Sequence, residues 1–145
     1  MSETEMRSRR EIFFENYRKV KNIEAKTMLE MTIRDFIPSV SKYVGELSKS
    51  VAARLSVLPN LDVSAEKDII EKLSTLLSRT YAAYNELSRV ENLAIKKRDE
   101  DAAFYYKTSV IPKMDALRRV VDEMETITAR ECWPIPTYGD ITFKI

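Results

Sequence analysis

Few residues in this chain have the types and spacing to do chemistry. Arg118 and Arg119, followed by Asp122, Glu123 and Glu125, place guanidinium groups beside carboxylates, an arrangement that could grip a dicarboxylate on a helix. The same spacings also make ordinary helix pairs, Asp115 with Arg119 and Arg118 with Asp122, which a solvated helix face explains without any ligand. Glu11, Glu15 and Glu24 could in principle line a magnesium site, yet they recur as carboxylates do on any wet helix. Tyr81, Tyr84, Tyr105 and Tyr106 could stack a planar ligand, but aromatic residues at helical spacing usually pack a core edge with the hydroxyl toward water. Cys132 is the sole cysteine and has no flanking base to lower its pKa.

Missing residue types narrow the field further. The 145 residues contain no histidine, which removes a Ser/His/Asp relay, a His-ligated zinc and the Glu-x-x-His ligands of di-iron bundles. Only two glycines occur, Gly45 inside a helical pattern and Gly139 near the end, so no glycine-rich phosphate loop can be built. No catalytic, cofactor-binding or metal-binding residue is assigned.

The tail is the exception to this blandness. From Cys132 the chain reads CWPIPTYGDITFKI, with the only tryptophan and two prolines one residue apart. Prolines remove backbone donors and force extended geometry on the preceding residues, so a helix cannot pass through. A stiff apolar segment loses little entropy on ordering, which suits docking. Trp133, Tyr138, Ile141 and Phe143 are the candidate docking residues. Two occupancies stay open: Trp133 and Tyr138 packing back across the groove between the helices, or Ile141 to Ile145 pairing with another domain or subunit.

The elements that must carry these groups are helices. Apolar residues recur at three and four, and the scarcity of glycine leaves no room for tight hairpins, so the class is all-α. A first run from about Met6 to Leu58 carries the stripe Ile33, Phe36, Ile37, Val40, Tyr43, Val44, Leu47, Val51 and Leu55, with Glu15–Lys19 and Glu30–Arg34 pairs on its wet side. A second run starts at Ser64, a good N-cap, and presents residues from Ile69 to Leu93, among them Tyr81, before ending near Arg98. After a charged link, Arg98 to Asp101, a third run from about Ala102 to Arg130 presents Tyr106, Val110, Met114, Leu117, Val121, Met124 and Ile127. Pro38 and Pro112 each follow an isoleucine inside a run. Each should kink its helix by crowding the carbonyl four residues back, at Arg34 and Thr108, unless Asp35 or Ser109 caps a new helix there. The expected fold is a bundle of three long, Pro-kinked helices with an extended C-terminal tail.

At about 1.5 Å per residue the first run reaches roughly 75 Å and the other two about 45–50 Å each. The first must therefore overhang, with its N-terminal part either projecting or folding back as a fourth helix. One domain over 1–145 is expected, divided into a projecting helix (1–31), a bundle (32–132) and a docking tail (133–145). The formal charge of +1, from 24 basic and 23 acidic residues evenly scattered, opposes a nucleic-acid or membrane-surface patch, since either needs a one-signed field. Charge-free stretches of only seven or eight residues fit neither a spanning helix nor a signal peptide. An unpaired cysteine suits a reducing, cytoplasmic setting.

Several blocks resemble one known family in order along the chain. WPIPTYGD at the end of a helical segment resembles the C-terminus of type III glutamine synthetases, the large bacterial form of that enzyme. EMRSRREIFFENYRKVKNIEAKTMLEM (Glu5 to Met31), IPSVSKYVGEL (Ile37 to Leu47) and SVIPKMDALRRVVDEMET (Ser109 to Thr126) look like successive blocks of the same C-terminal region. The middle, from about Ala52 to Asp101, is similar only in helical character. The resemblance implies a non-catalytic structural and oligomerisation module of an enzyme of nitrogen metabolism. That whole enzyme ligates ammonia to glutamate with ATP and Mg2+ or Mn2+, and assembles as a dodecamer of two hexameric rings. The ATP and metal ligands would belong to an upstream catalytic domain. This chain would carry none of them; its helix over 1–31 would project or face that catalytic domain, and its partners would be that domain and neighbouring subunits in a homo-oligomer. The competing expectation is a freestanding α-helical protein-protein interaction domain.

Overall fold

The computed structural model describes residues 2–136, and within them the chain is built from helices alone, with no strand. The first long helix comprises α1 (Glu3–Met31), a π turn (Thr32–Phe36) and α2 (Ile37–Val57). A short connection leads to α3 (Ser64–Ala94). The third long helix comprises α4 (Asp99–Tyr105), a second π turn (Tyr106–Val110) and α5 (Ile111–Ile127), and a 3-10 turn over Arg130–Cys132 follows.

Both prolines sit just behind a π turn, in the first two positions of the α-helix that follows. Neither helix breaks there, since the backbone stays right-handed helical at Met31, Phe36 and Ile37, and again at Tyr105, Val110 and Ile111. Neither Asp35 nor Ser109 caps a new helix. Instead the N–H of Ile37 bonds back to the carbonyl of Thr32, and that of Ile111 to the carbonyl of Tyr106. These five-residue steps widen the helix where the proline ring would otherwise meet the carbonyl of Arg34 or Thr108. The two IP motifs thus share a local solution although the residues around them differ.

Helix ends follow from local chemistry. Ser2 caps α1, its hydroxyl accepting the N–H of Glu5 at 3.1 Å. At α3 the structure corrects the expected cap. Ser64 is already helical, and the Asp62 carboxylate accepts its N–H at 3.0 Å. Those hydrogen bonds, chiefly that from the Ser64 hydroxyl, hold the Asp62 carboxyl below its usual range. The acidic run read as a link is also helical: Asp99, Glu100 and Asp101 fill the first turn of α4, where the positive end of the helix dipole favours carboxylates. The true connection is Ile95 to Arg98. Asp99 enters the helix at φ 54°, in the left-handed region that aspartate tolerates better than most residues.

Ion pairs define how the helices are staggered. Arg54 near the end of α2 meets Glu66 near the start of α3 at 3.3 Å, so α3 returns antiparallel along the first helix. The third helix reverses again, with Arg79 facing Glu123 at 3.8 Å and Lys113 facing Glu86 at 3.5 Å. Its start extends past the end of α3 and reaches Arg10, whose guanidinium lies 2.7 Å from Glu100. The N-terminal half of the first helix therefore neither folds back nor stands alone, because α4 packs along it.

The core runs the length of this seam. Ala25, Val40, Leu73, Leu87, Tyr106, Val110, Leu117 and Met124 are buried, with Phe36, Leu76 and Trp133 joining the cluster. Three residues of the expected stripes, Ile33, Tyr81 and Leu93, are instead exposed. Ile33 lies inside the first π turn, and the extra residue there rotates it off the buried face.

Candidate docking site

Trp133 is buried, at 7% exposure, and the first π turn supplies the ring against which it packs. Its indole stacks on Phe36, ring centres 5.1 Å apart and planes inclined by 20°. The Arg130–Cys132 turn aims it there: the Trp133 N–H closes onto the Arg130 carbonyl at 3.2 Å, and the chain leaves the turn extended. The indole Nε1 has no hydrogen-bond partner among the described residues. Beyond Trp133, Ile135 lines a cavity of about 240 Å³ together with Met28, Met31, Phe36, Leu117 and Val121, with Arg118 and Asp122 at its edge. The arginine and carboxylate singled out as candidate ligands thus border the seat of the tail. Of the four candidate docking residues, Trp133 stacks on Phe36, and Tyr138, Ile141 and Phe143 lie outside the described residues.

A second cavity, about 530 Å³, lies farther along the same two helices. Phe13, Phe14 and Tyr17 of α1 line one wall, and Ala103, Phe104, Lys107 and Ile111 the other, with Glu100 at the rim. Its lining is predominantly apolar, yet Phe13 is 62% exposed and Phe104 67%. Phe13 packs edge-on to Phe14 at 5.6 Å, and Arg10 lies over the Phe14 ring at 5.5 Å. This open aromatic cavity was not foreseen from sequence, because its walls come from residues ninety positions apart. The cluster Phe13, Phe14, Tyr17 was the only local signal.

Elsewhere on α1 a further apolar band, Met6, Ile12, Val20 and Ile23, faces solvent. These residues, at successive spacings of six, eight and three, fall within about 120° of one another around the helix, away from Ala25, which is fully buried.

Sequence reasoning also missed a polar group in the core. Glu91 is 3% exposed and accepts a hydrogen bond from the Tyr106 hydroxyl at 3.1 Å, while its other oxygen has no partner among the described residues. Burial pushes the Glu91 carboxyl above the usual range, against the opposing pull of the Tyr106 bond and Lys26. Burial, and then the Glu91 charge, likewise raise the Tyr106 phenol. Desolvation followed by the nearby Glu131 and Glu46 carboxylates raises the Cys132 thiol, the wrong direction for a nucleophile. Tyr81 and Tyr84 stack at 6.1 Å, Tyr84 half-buried and Tyr81 exposed. Among the described residues no group of three or more acidic or cysteine side chains is arranged to hold a metal ion, and no helix is long and apolar enough to cross a membrane.

A family profile described as the glutamine synthetase C-terminal domain matches residues 1–54. Over 142 residues, 97% of the chain, the sequence is 30% identical to a glutamine synthetase of Butyrivibrio fibrisolvens. It is 26% identical over 151 residues, 99% of the chain, to a type-3 glutamine synthetase of Dictyostelium discoideum, and 24% over 147 residues, 98% of the chain, to a glutamine synthetase of Bacteroides fragilis (strain YCH46). In each case the chain spans about a fifth of the relative's length, the covered share being 20%. No solved structure matches the chain.

Proposed function

Because the chain belongs to the C-terminal domain family of glutamine synthetase, we propose that it is a non-catalytic structural module of a type III enzyme, one that packs on a catalytic domain and shapes contacts between subunits. The observation that carries this reading is the exposed band Met6, Ile12, Val20 and Ile23 on α1. Solvent-facing apolar residues gathered on one side of a helix mark a surface that another protein covers. The band also falls within residues 1–54, the stretch that the family profile matches.

In this reading the ligation of ammonia to glutamate, with ATP and Mg2+ or Mn2+, belongs to the catalytic domain of a cytoplasmic homo-oligomer. The described residues here support the docking role through shape and not through chemistry. Three long helices fixed to one another by a continuous core make a stiff platform, and a stiff platform holds a neighbouring surface at low entropic cost.

The test is to place Val20→Glu and Ile23→Glu in the full-length enzyme that carries this sequence. Loss of the native oligomer on size-exclusion chromatography with light scattering is expected, while the same pair leaves the melting of the 145-residue chain within a few degrees. An unchanged oligomer and unchanged ammonia-ligating activity would sink the reading and favour a freestanding interaction domain.

A further inference from the structure

Phe104 lines two cavities, the aromatic one it shares with Phe13, Phe14 and Tyr17, and another of about 380 Å³ walled by Lys96, Lys97, Arg98 and Tyr105. The second is basic because of where the helices end. With α3 closing at Ala94 and α4 opening at Asp99, the connection between them is Ile95 followed by three consecutive cations. Backbone bonds hold that connection in place. The N–H of Lys96 bonds to the Leu93 carbonyl at 3.3 Å, that of Lys97 to Ala94 at 3.0 Å, and the Arg98 carbonyl accepts from Ala102 at 3.2 Å. The Lys97 ammonium also sits 4.9 Å from the centre of the Tyr105 ring. Among the described residues neither these three cations nor Lys107, on the aromatic side, is in an ion pair. Against the four the two linings set only Glu100 and Asp101, and Glu100 is engaged by Arg10 at 2.7 Å. A local excess of positive charge thus adjoins an open aromatic recess in a chain whose net charge is +1.

We infer that this double site docks an acidic peptide segment of a partner protein, whose large apolar side chain enters the aromatic cavity while neighbouring carboxylates face Lys96, Lys97 and Arg98. Charge complementarity selects the acidic character, since unpaired cations steer and orient carboxylates. The recess selects a side chain. Buried aromatic anchors supply most of the affinity of such contacts, and Phe13 and Phe104, more than half exposed, have the most surface left to cover. A nucleic-acid backbone suits the site less well, because it needs a longer basic track and Asp99, Glu100 and Asp101 end this one after three residues. A bilayer also suits it less well, because membranes take up an apolar face that protrudes, whereas these rings wall a cavity between α1 and α4. The inference goes beyond the structural role proposed above and does not rest on it, since the residues it tests lie in α4 and the connection before it.

The test is selection of a random phage-displayed peptide library on the immobilised 145-residue chain, with the recovered peptides then synthesised and titrated by fluorescence anisotropy. Enrichment of sequences that place Asp or Glu within a few residues of Phe, Trp or Leu is expected. Phe104→Ala should weaken their binding by at least about tenfold, as loss of an anchoring aromatic does. Lys96→Ala with Lys97→Ala should weaken it by about fivefold in low salt, a loss that shrinks as salt screens the charges. Both variants should melt with the parent chain, so that lost binding is not lost folding. Recovery of no acidic peptide, or of peptides whose affinity both variants leave within about twofold, would overturn the inference. Sedimentation with phosphatidylserine vesicles, or binding to an RNA homopolymer, that is tighter than any recovered peptide and is lost in the lysine variant would overturn it in favour of a polyanion.

Discussion

The two ends of the seam between the first and third helices, each with its own cavity, make opposite use of aromatic residues. At one end Trp133 is buried on Phe36, so its contact belongs to the domain's own stability. At the other, Phe13 and Phe104 keep more than half of their surface in water. The sequence types are alike, and what differs is whether a further segment covers them. Aromatic residues alone therefore do not tell a core from a binding surface; the cover does.

The largest expected effect tests the filled end. Trp133→Ala should destabilise the chain by about 3–5 kcal/mol, the penalty for deleting a large core aromatic, read from chemical denaturation. Phe104→Ala at the open end should change stability by less than about 1 kcal/mol. Equal losses at the two sites would erase the contrast between them.

Glu91 is buried on α3, and its titration extends the comparison to the inside of the core. Its carboxyl is raised in the folded chain, so the fold favours the protonated form. Stability from this group is fully present below its unfolded pKa and is lost as pH rises through the higher folded value. Glu91→Gln should remove that slope and stabilise the chain at pH 7 by about 1 kcal/mol, because it removes a buried charge while keeping an acceptor for Tyr106. A variant less stable than the parent at pH 7 would show that the ionised form is well compensated. Glu86 behaves oppositely. Chiefly through the hydrogen bond from Arg89, its carboxyl is held down at about 2, so its contribution is present above the unfolded pKa and disappears only as pH falls toward that value.

The smallest effect concerns Gly45, within α2. A Cβ built there meets nothing within 4 Å, so Gly45→Ala should raise stability by about 0.5–1 kcal/mol through backbone entropy alone. A loss in thermal melts would point to a neighbour covering that face.

Much of this architecture was legible in the chain. Helical periodicity located the three long helices within a few residues, and the Glu15–Lys19 and Glu30–Arg34 pairs form at 3.1 and 3.2 Å as their spacing implied. The tail's break from helix also announced itself through Pro134 and Pro136. The π turns did not, because a proline excludes an ideal α-helix without saying whether the chain kinks, breaks or gains a residue. Ile33 turned outward for that reason. The acidic Asp99 to Asp101 run misled because charge reads as solvent exposure, and a helix N-terminus is both exposed and favourable to carboxylates. The open aromatic cavity was out of reach of any local pattern, since Phe13 and Phe104 meet only through the stagger of the helices.

That stagger gives the first π turn a mechanical meaning. From Thr32 to Arg10 the helix forms an arm of about 33 Å, and its far end is tied to the third helix by the Arg10–Glu100 pair. A tilt of about 5° at the π turn would swing Arg10 sideways by about 3 Å, roughly the length of the bond that tethers it. The wider helical step beside Pro38 would be the fulcrum of such a tilt. A single-residue deletion within Thr32–Phe36 would stiffen it and rotate the whole arm against its counterpart.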